Sequence, residues 1–252
     1  MKPILKVENL TKVFSRRGQP DFTAVKNVSF ELMTGECLGI IGESGSGKTT
    51  LVNMITRLLD ATEGSIILQG EDITHINGKE LRTVYRKMQM VFQTPTDSFD
   101  PRRKLGDSIG ESLRNNGMSV SESKQHVARL LKMCGLPAEF AGRHPHQVSG
   151  GQCQRAAIAR AIAIKPELLV LDEATSALDV TIQKEILELL TMLKDELHMS
   201  YLFICHDIAL VQQFCDRVLV MYKGSIVEQG RPDDVIQNPK DDYTKRLIDS
   251  IL

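Results

Sequence analysis

The stretch Gly42-Glu43-Ser44-Gly45-Ser46-Gly47-Lys48-Thr49 follows the pattern G-x-x-x-x-G-K-[ST]. An apolar run at residues 37–41 precedes it and predicts a buried strand. Residues 49–59 follow it, and their apolar side chains have helical spacing. Glycines allow such a turn to point successive N–H groups inward, and the helix start adds the positive end of its dipole. The stretch therefore predicts a phosphate-binding loop, the alternative being a glycine-rich turn with an incidental lysine.

The chemistry of this loop assigns roles to its last residues. An ammonium at Lys48 would reach the β and γ phosphates of a nucleotide, and the Thr49 hydroxyl would bind Mg²⁺. Such a loop does not by itself separate GTPases, kinases, motors and transport ATPases. The remaining motifs must therefore decide the class.

Two carboxylates follow a second apolar run, Leu168-Leu169-Val170-Leu171-Asp172-Glu173. Asp172 would hold Mg²⁺, and Glu173 would orient or deprotonate a water, which favours hydrolysis. The alternative is that these acidic residues begin a loop or cap a helix. The guanine-selecting element Asn-Lys-x-Asp does not occur in the sequence, which argues against a GTPase.

A second candidate for an anion-binding helix start is Val148-Ser149-Gly150-Gly151-Gln152, which precedes an alanine-rich segment. Gln152 lies 20 residues before Asp172. Taken alone, the same residues are also typical of an ordinary N-capped helix after a loose turn.

Composition excludes several classes of protein. The 252 residues include 31 Lys and Arg against 32 Asp and Glu, so the net charge of -1 gives no footprint for nucleic acid or anionic lipid. No apolar run reaches the about 18 to 20 residues of a spanning helix, and residues 1–12 lack the apolar centre of a signal peptide. Five scattered cysteines predict reduced, mostly buried thiols without a disulfide or zinc site.

Periodicity along the chain predicts an α/β protein with a helical insert. Residues 121–134 read as a helix with Ser119 and Glu122 at capping-box spacing, and residues 182–197 as a helix between two buried strands. Strands are predicted at 4–7, 28–32, 37–41, 65–68, 88–92, 168–171 and 201–205, a hairpin at 218–222 and 226–228, and a last helix at 243–252.

Taken together, the motifs resemble the ATP-binding cassette (ABC) ATPases in their order and spacing. The motifs concerned are the phosphate loop, Gln93, residues 148–152 and 168–173, Ser176-Ala177-Leu178-Asp179, and His206. The resemblance implies one ABC ATPase domain over residues 1–252, with a P-loop NTPase (RecA-like) core, an antiparallel β subdomain and an inserted α-helical subdomain. It places the β subdomain and the start of the core at 1–93, the helical subdomain at 94–163, and the rest at 164–252.

The resemblance also implies roles for single residues. ATP would be held by the loop together with Thr50 and by an adenine-stacking ring at Phe14, while Glu173 acts as base and His206 contacts the γ-phosphate. Gln93 would link the bound Mg²⁺ to the helical subdomain. Two cassettes would face head to tail, so that residues 149–152 and Asp179 act on the nucleotide of the opposing cassette. Each residue has a plainer alternative: a strand end for His206, a turn for Gln93, a helix cap for Asp179, a core ring for Phe14.

A narrower likeness points to the oligopeptide, dipeptide and nickel importer branch. It rests on Gly35-Glu36-Cys37-Leu38-Gly39, Met90-Val91-Phe92-Gln93, Asp100-Pro101-Arg102, Pro145-His146-Gln147-Val148-Ser149 and Tyr243-Thr244-Lys245-Arg246-Leu247. Departures are Val148 for leucine, Phe14 for tyrosine, and Asp241-Asp242 for His-Pro. No cysteine-bearing tail follows, so no iron-sulfur cluster is expected.

This likeness implies a set of partners. They are two transmembrane permease subunits, a second and non-identical cassette, and, indirectly, an extracytoplasmic substrate-binding protein, with the chain peripheral at the cytoplasmic face of the membrane. The surface at residues 93–103 would receive a short permease helix. Two alternatives remain: a non-transport cassette acting on DNA or ribosomes, and an exporter or lipoprotein-releasing cassette. The first is disfavoured because the sequence has no long heptad insertion, second cassette or zinc cysteines.

Overall fold

The computed structural model of the chain describes residues 2–15, 18, 20–96, 98–175 and 178–249. The chain divides into two compact units, one of Met1–Tyr85 with Met199–Leu252 and one of Arg86–His198. The subdomain boundaries proposed from the sequence stay a prediction. Ser176 and Ala177 of the predicted motif, and positions 250–252 of the predicted last helix, lie outside the described residues.

The described residues form strands, α-helices and short 3₁₀ helices. The strands are β1 Pro3–Phe14, β2 Phe22–Met33, β3 Cys37–Ile41, β4 Glu63–Leu68, β5 Glu71–Asp72, β6 Met88–Val91, β7 Leu168–Asp172, β8 Ser200–Ile204, β9 Arg217–Tyr222 and β10 Ser225–Gly230. The α-helices are α1 Lys48–Ile55, α2 Gly78–Lys87, α3 Leu105–Asn115, α4 Val120–Met133, α5 Gly150–Ile162, α6 Val180–Leu197, α7 Ile208–Phe214, α8 Pro232–Gln237 and α9 Asp242–Asp249. The 3₁₀ helices cover Ala138–Gly142 and Pro145–Gln147.

The first unit contains an antiparallel sheet in the order β2-β1-β4-β5. Strand β1 is flanked on both sides, since Val7 lies opposite Phe30 of β2 and opposite Ile66 of β4. It is longer than the predicted strand 4–7 because the pairing continues beyond a register shift next to Asn9, which has a left-handed φ of 50°. The alternating apolar side chains of β1 face the core, and Leu5 and Leu10 are fully buried.

The same unit contains a second sheet, in which β3 pairs in parallel with β8 and with β9. Every residue of β3 and of β8 is buried, as the continuous apolar runs predicted. Strand β10 pairs antiparallel with β9, which confirms the predicted hairpin. Helix α1 follows β3 but ends at Ile55 instead of residue 59, because Arg57 has a φ of 59° and closes the helix.

The second unit contains the parallel pair β6 and β7 together with a group of helices. The predicted helix 121–134 is observed as α4 within one residue at each end. Its capping box is also observed, with the Ser119 hydroxyl accepting from the Glu122 N–H and the Glu122 carboxylate accepting from the Ser119 N–H. The predicted helix 182–197 is α6.

The five cysteines are all free and buried, and their burial agrees with the prediction. Burial raises the pKa of Cys134 to about 12 and that of Cys153 to about 11, so neither thiol ionises near neutral pH. Within the described ranges, no helix is both long and apolar enough to cross a membrane.

Candidate functional site

The glycine-rich loop lies between the end of β3 and the start of α1 and is backed by main chain. Gly42 and Gly47 have φ of 150° and 106°, which side chains rarely tolerate. A Cβ at Gly42 would lie 2.2 Å from the carbonyl oxygen of Met221, and one at Gly47 would lie 2.5 Å from that of Ala24. Both glycines are therefore required by contact as well as by conformation.

The start of α1 is open to a ligand. Its N-cap is Gly47, and among the described residues no side chain caps this helix start. Such a start carries backbone N–H groups and the positive dipole end, which together favour an anion. Of the loop, Gly42, Ser46 and Lys48 are buried, Gly47 and Thr50 are half-buried, and Glu43, Ser44, Gly45 and Thr49 are exposed.

The ammonium of Lys48 lies inside the curve of its own loop. Its Nζ donates to the carbonyl oxygens of Gly42, at 2.7 Å, and of Glu43, at 2.9 Å. Only 6% of the residue is exposed. The loop carbonyls therefore hold a cation where a phosphate at the helix start would meet it.

Two further contacts brace the loop from the C-terminal part of the first unit. The Gly224 N–H donates to the Ser46 carbonyl at 2.9 Å, from the turn between β9 and β10. The Glu43 N–H donates to the hydroxyl of Tyr243 in α9 at 2.9 Å. Sequence reasoning assigned no role at the loop to Tyr243 or Gly224, and the only signal was the presence of Tyr243 in the importer-like motif.

In the second unit, the structure brings Gln93 and Glu173 together. The pairing of Val91 with Leu171 in β6 and β7 places residues 93 and 173 two positions beyond the same rung. Since the strands are parallel, both residues emerge at the same edge, and Gln93 Nε2 donates to Glu173 Oε2 at 2.6 Å. Asp172, at the end of β7, is 8% exposed.

Glu173 has an unusual backbone conformation. Its φ is 47°, in the left-handed region that non-glycine residues seldom adopt. Residues in this conformation are found at functional sites but also at ordinary turns, as at Arg57 in this chain. The conformation turns the chain immediately after β7, directly at the residue predicted to act on water.

The donor types at these positions suit Mg²⁺. In the second unit, the Asp172 carboxylate and the Gln93 amide oxygen are hard oxygen donors of the kind that this ion prefers, and in the first unit the Thr49 hydroxyl is another. Among the described residues, no group of three or more His, Cys, Asp or Glu could hold a metal alone. In proteins, Mg²⁺ commonly takes part of its coordination from nucleotide phosphates and water.

The predicted second helix start, at α5, has a complete capping box. The Ser149 hydroxyl accepts from the Gln152 N–H at 3.3 Å, and Gln152 Oε1 accepts from the Ser149 N–H at 3.0 Å. Ser149 and Gly150 are exposed. The plainer alternative, an N-capped helix, thus describes the local geometry correctly.

The starts of α5 and α6 lie next to each other. A Cβ at Gly151 would lie 2.7 Å from Cγ2 of Ile182, so glycine permits this close approach. Asp179 caps α6 by accepting from the Ile182 N–H at 3.0 Å, as its plainer alternative predicted. The exposed residues Ser149 and Asp179 therefore belong to one surface of the second unit.

Phe14 and His206 both lie at strand ends of the first unit. Phe14 is 39% exposed, which argues against a plain core ring, and Lys12 Nζ lies 5.3 Å from its ring centroid. His206 is exposed after β8, just before Asp207, which caps α7. Their roles towards a nucleotide stay predictions.

The phosphate loop, the fold and the two carboxylates at the end of β7 define a P-loop nucleotide-binding protein of the cassette class. The sequence profile of the family described as "ABC transporter" matches residues 25–176. The chain belongs to the ABC transporter family, and it is an ATP-binding cassette. The predicted family and fold class are thereby confirmed.

Two curated relatives give a more specific similarity than the family profile. The chain is 42% identical over 257 residues to the glutathione import ATP-binding protein GsiA of Salmonella paratyphi A, covering 99% of this chain and 41% of the relative. It is 43% identical over 252 residues to the oligopeptide transport ATP-binding protein OppD of Mycobacterium tuberculosis, covering 100% of this chain and 41% of the relative. The chain thus spans about 41% of the length of these curated relatives.

Solved structures agree with the fold. The dimeric post-hydrolysis state of the ATP-binding cassette MJ0796 bound to ADP and Pi superposes with a TM-score of 0.83 at 32% identity, covering 90% of this chain and 98% of that one. The cbiO1 protein of Clostridium perfringens, part of the ABC transporter complex cbiONQ, gives a TM-score of 0.83 at 28% identity, covering 94% and 92%.

Proposed function

We propose that this chain hydrolyses ATP to drive a membrane importer for dipeptides and oligopeptides or for nickel. The observation that carries the proposal is the 2.6 Å bond between Gln93 and Glu173 at the shared edge of β6 and β7, in a cassette whose phosphate loop encloses Lys48. Relatives named for glutathione import and oligopeptide transport support the peptide class.

In the proposed reaction, the loop 42–50 and Lys48 bind the phosphates, and Phe14 stacks on the adenine. Thr49, Asp172 and Gln93 would hold Mg²⁺, which would neutralise charge on the β and γ phosphates. Glu173 either orients the attacking water or accepts a proton from it. The water attacks the γ-phosphorus, and ADP is the leaving group. His206 contacts the γ-phosphate. The bond from Gln93 supports this role because it orients the Glu173 carboxylate.

The second part of the proposal is a head-to-tail pair of cassettes. The surface formed by the exposed residues Ser149, Gly150 and Asp179, together with the half-buried Gly151 and Gln152, would meet the nucleotide held by the opposing cassette. The dimeric structure of the similar cassette MJ0796 supports such a pair. A capping hydroxyl can still act there, because Ser149 Oγ accepts from its own helix while its O–H can be donated.

The proposed partners are two permease subunits, a second and non-identical cassette, and, indirectly, an extracytoplasmic substrate-binding protein. The chain would lie at the cytoplasmic face of the membrane as a peripheral subunit. The net charge of -1 supports attachment through protein partners and argues against nucleic acid.

The permease is proposed to dock on residues 93–103. This segment is tied to the far end of α5, since the Arg160 guanidinium lies 4.5 Å from the Phe99 ring centroid and donates to the Ser98 carbonyl. Arg103 pairs with Glu111 at 2.9 Å, whereas Arg102 is exposed. Arg102→Glu is thus the cleaner test of docking, because Arg103→Glu would also break an ion pair within the unit.

Reconstitution tests the whole proposal. The chain, its neighbouring permeases and a second cassette are placed in proteoliposomes, and ATP-dependent uptake of dipeptides, oligopeptides and Ni²⁺ is measured. We expect uptake of one of these classes and its loss with Glu173→Gln. Failure of the chain to co-purify with any permease would overturn the transport role. Full uptake with this chain as the sole cassette would overturn the claim of non-identical cassettes.

A further inference from the structure

We infer that Tyr243 is a positioning residue of the phosphate loop, which it holds in its binding conformation through the hydrogen bond from the Glu43 N–H. The inference rests on the proposal that this loop holds the phosphates of ATP. Tyr243 lies 200 residues beyond Glu43 in the chain, so the contact exists only in the folded first unit.

Glu43 connects this tyrosine to the cation of the loop. Its N–H donates to the Tyr243 hydroxyl at 2.9 Å, and its carbonyl accepts from Lys48 Nζ at 2.9 Å and from the Ser46 N–H at 3.2 Å. Both backbone polar groups of Glu43 are thus engaged. Fixing the Glu43 backbone therefore also fixes one of the carbonyls that hold the Lys48 ammonium.

Tyr243 is itself rigidly held. It is 4% exposed, and its ring stacks on Tyr222 with centroids 4.0 Å apart and planes 22° from parallel. Tyr222 follows Met221, whose carbonyl group packs closely against Gly42. The stacked pair thus adjoins the same loop from the end of β9.

The hydroxyl stays neutral under ordinary conditions. Burial raises the pKa of Tyr243, so the phenol keeps its proton to higher pH than an exposed tyrosine. A neutral hydroxyl can accept the Glu43 N–H without placing a negative charge beside a phosphate site.

The segment before Tyr243 is anchored to β10. The Glu228 carboxylate accepts the N–H groups of Lys240, at 2.9 Å, and Asp241, at 3.0 Å, and Asp241 Oδ1 accepts the Tyr243 N–H at 2.8 Å. Burial acts to raise the pKa of Glu228, but these two N–H groups hold it below its usual range. An ionised carboxylate thus sets the position of the tyrosine at neutral pH.

The test compares Tyr243→Phe with the matched control Tyr222→Phe. Each variant loses one hydroxyl and keeps the stacked ring pair, but only the first loses the acceptor for Glu43. We expect Tyr243→Phe to weaken ATP and ADP binding by about three- to tenfold, as one hydrogen bond allows. The KM for ATP should rise by the same factor with kcat little changed, whereas Tyr222→Phe should bind as the parent does.

Amide exchange at Glu43 gives a readout that a general loss of stability would not reproduce. In Tyr243→Phe, the Glu43 N–H should exchange with solvent faster than in the parent, while amides of β3 keep their protection. If Tyr243→Phe does not fold, Glu43→Pro removes the donor of the same bond and should weaken ATP binding similarly. Where both variants fold, their effects on the ATP dissociation constant should be clearly less than additive in a double-mutant cycle.

The outcomes separate this inference from the function on which it rests. Unchanged ATP binding by Lys48→Ala would remove the loop as the nucleotide site, whatever Tyr243 does. If Lys48→Ala loses ATP binding but Tyr243→Phe binds ATP as tightly as Tyr222→Phe, the positioning role of Tyr243 is wrong and the loop assignment stands.

Discussion

Helices α1 and α5 begin in opposite ways, although the sequence predicted an anion-binding start at both. Helix α1 starts at Gly47, with no side-chain cap among the described residues and the Lys48 ammonium beside it. Helix α5 starts at Ser149, whose hydroxyl and partner Gln152 satisfy each other in a full capping box. The first start is therefore built to receive a ligand, whereas the second is complete without one.

We infer from this difference that the starts of α1 and α5 have different roles. An open start with an enclosed cation can hold the phosphates within its own chain. A self-capped start can offer an exposed hydroxyl to an anion presented by another molecule, but its own helix does not need that anion. We therefore expect changes at α1 to affect binding by the isolated chain, and changes at α5 to act only when two cassettes meet.

The largest expected effect comes from Glu173→Gln. This variant should trap the paired state, in which the start of α1 in one cassette and the start of α5 in the other contact the same nucleotide. Turnover should fall by about 10² to 10⁴ while ATP binding persists, since only the carboxylate that we propose to act on water is altered. A glutamine oxygen can still accept the bond from Gln93, so the fold around β6 and β7 should be kept. Steady-state ATPase rates and an ATP-dependent dimer in light scattering are the measurements. Hydrolysis at the parent rate would leave His206 as the better candidate.

The next largest effect is expected at the uncapped start of α1. Lys48→Ala should weaken ATP binding by about 10²-fold, because it removes charge-assisted bonds to the phosphates. It also removes the cation from the Gly42 and Glu43 carbonyls, so its urea midpoint must be compared with that of the parent. Nucleotide titration makes the measurement, and unchanged affinity in a folded variant would refute the role of the loop.

Ser149→Arg tests the capped start. ATP binding by the isolated chain should be unchanged, but hydrolysis that rises cooperatively with cassette concentration should fall by about tenfold or more, because the defect acts on the opposing nucleotide. ATPase rate against protein concentration provides the assay. A loss of ATP binding by the monomeric variant would contradict the division between α1 and α5.

The smallest expected effect separates capping from function. Ser149→Ala and Ser119→Ala each remove a capping-box hydroxyl and should each lower the free energy of unfolding by about 1 kcal/mol. Urea unfolding measures both. Only Ser149→Ala should also lower cooperative ATP hydrolysis. An equal loss of ATPase activity in both variants would show that Ser149 acts only as a helix cap.

Local pattern predicted much of the fold. The strand Cys37–Ile41, the glycine loop and the capping box at Ser119 were predicted from short-range signals, because each depends on neighbouring residues. Helix α2 was not predicted, since its residues are mostly polar and Val84 is its one buried residue. The length of β1 was underestimated because its extension depends on pairing with β2 and β4.

The candidate site was predicted residue by residue but not contact by contact. The sequence nominated Gln93 and Glu173 separately, yet their bond depends on β6 lying parallel to β7 in one register. The contact of Tyr243 with Glu43 likewise depends on the folded position of α9. Neither of these two contacts has a local sequence signal, because the spacing of residues along the chain does not determine strand order or long-range packing.

Complementation between two variants is the sharpest test of the head-to-tail pair of cassettes. Lys48→Ala and Ser149→Arg are mixed in the absence of the second cassette, so that copies of this chain can pair with each other. The ATPase rate of the mixture is then compared with the rates of the two variants alone. In a head-to-tail pair, the intact Lys48 of one chain and the intact Ser149 of the other meet at one nucleotide. We expect the mixture to recover ATPase activity that neither variant has alone. A mixture no more active than the sum of its components would contradict it.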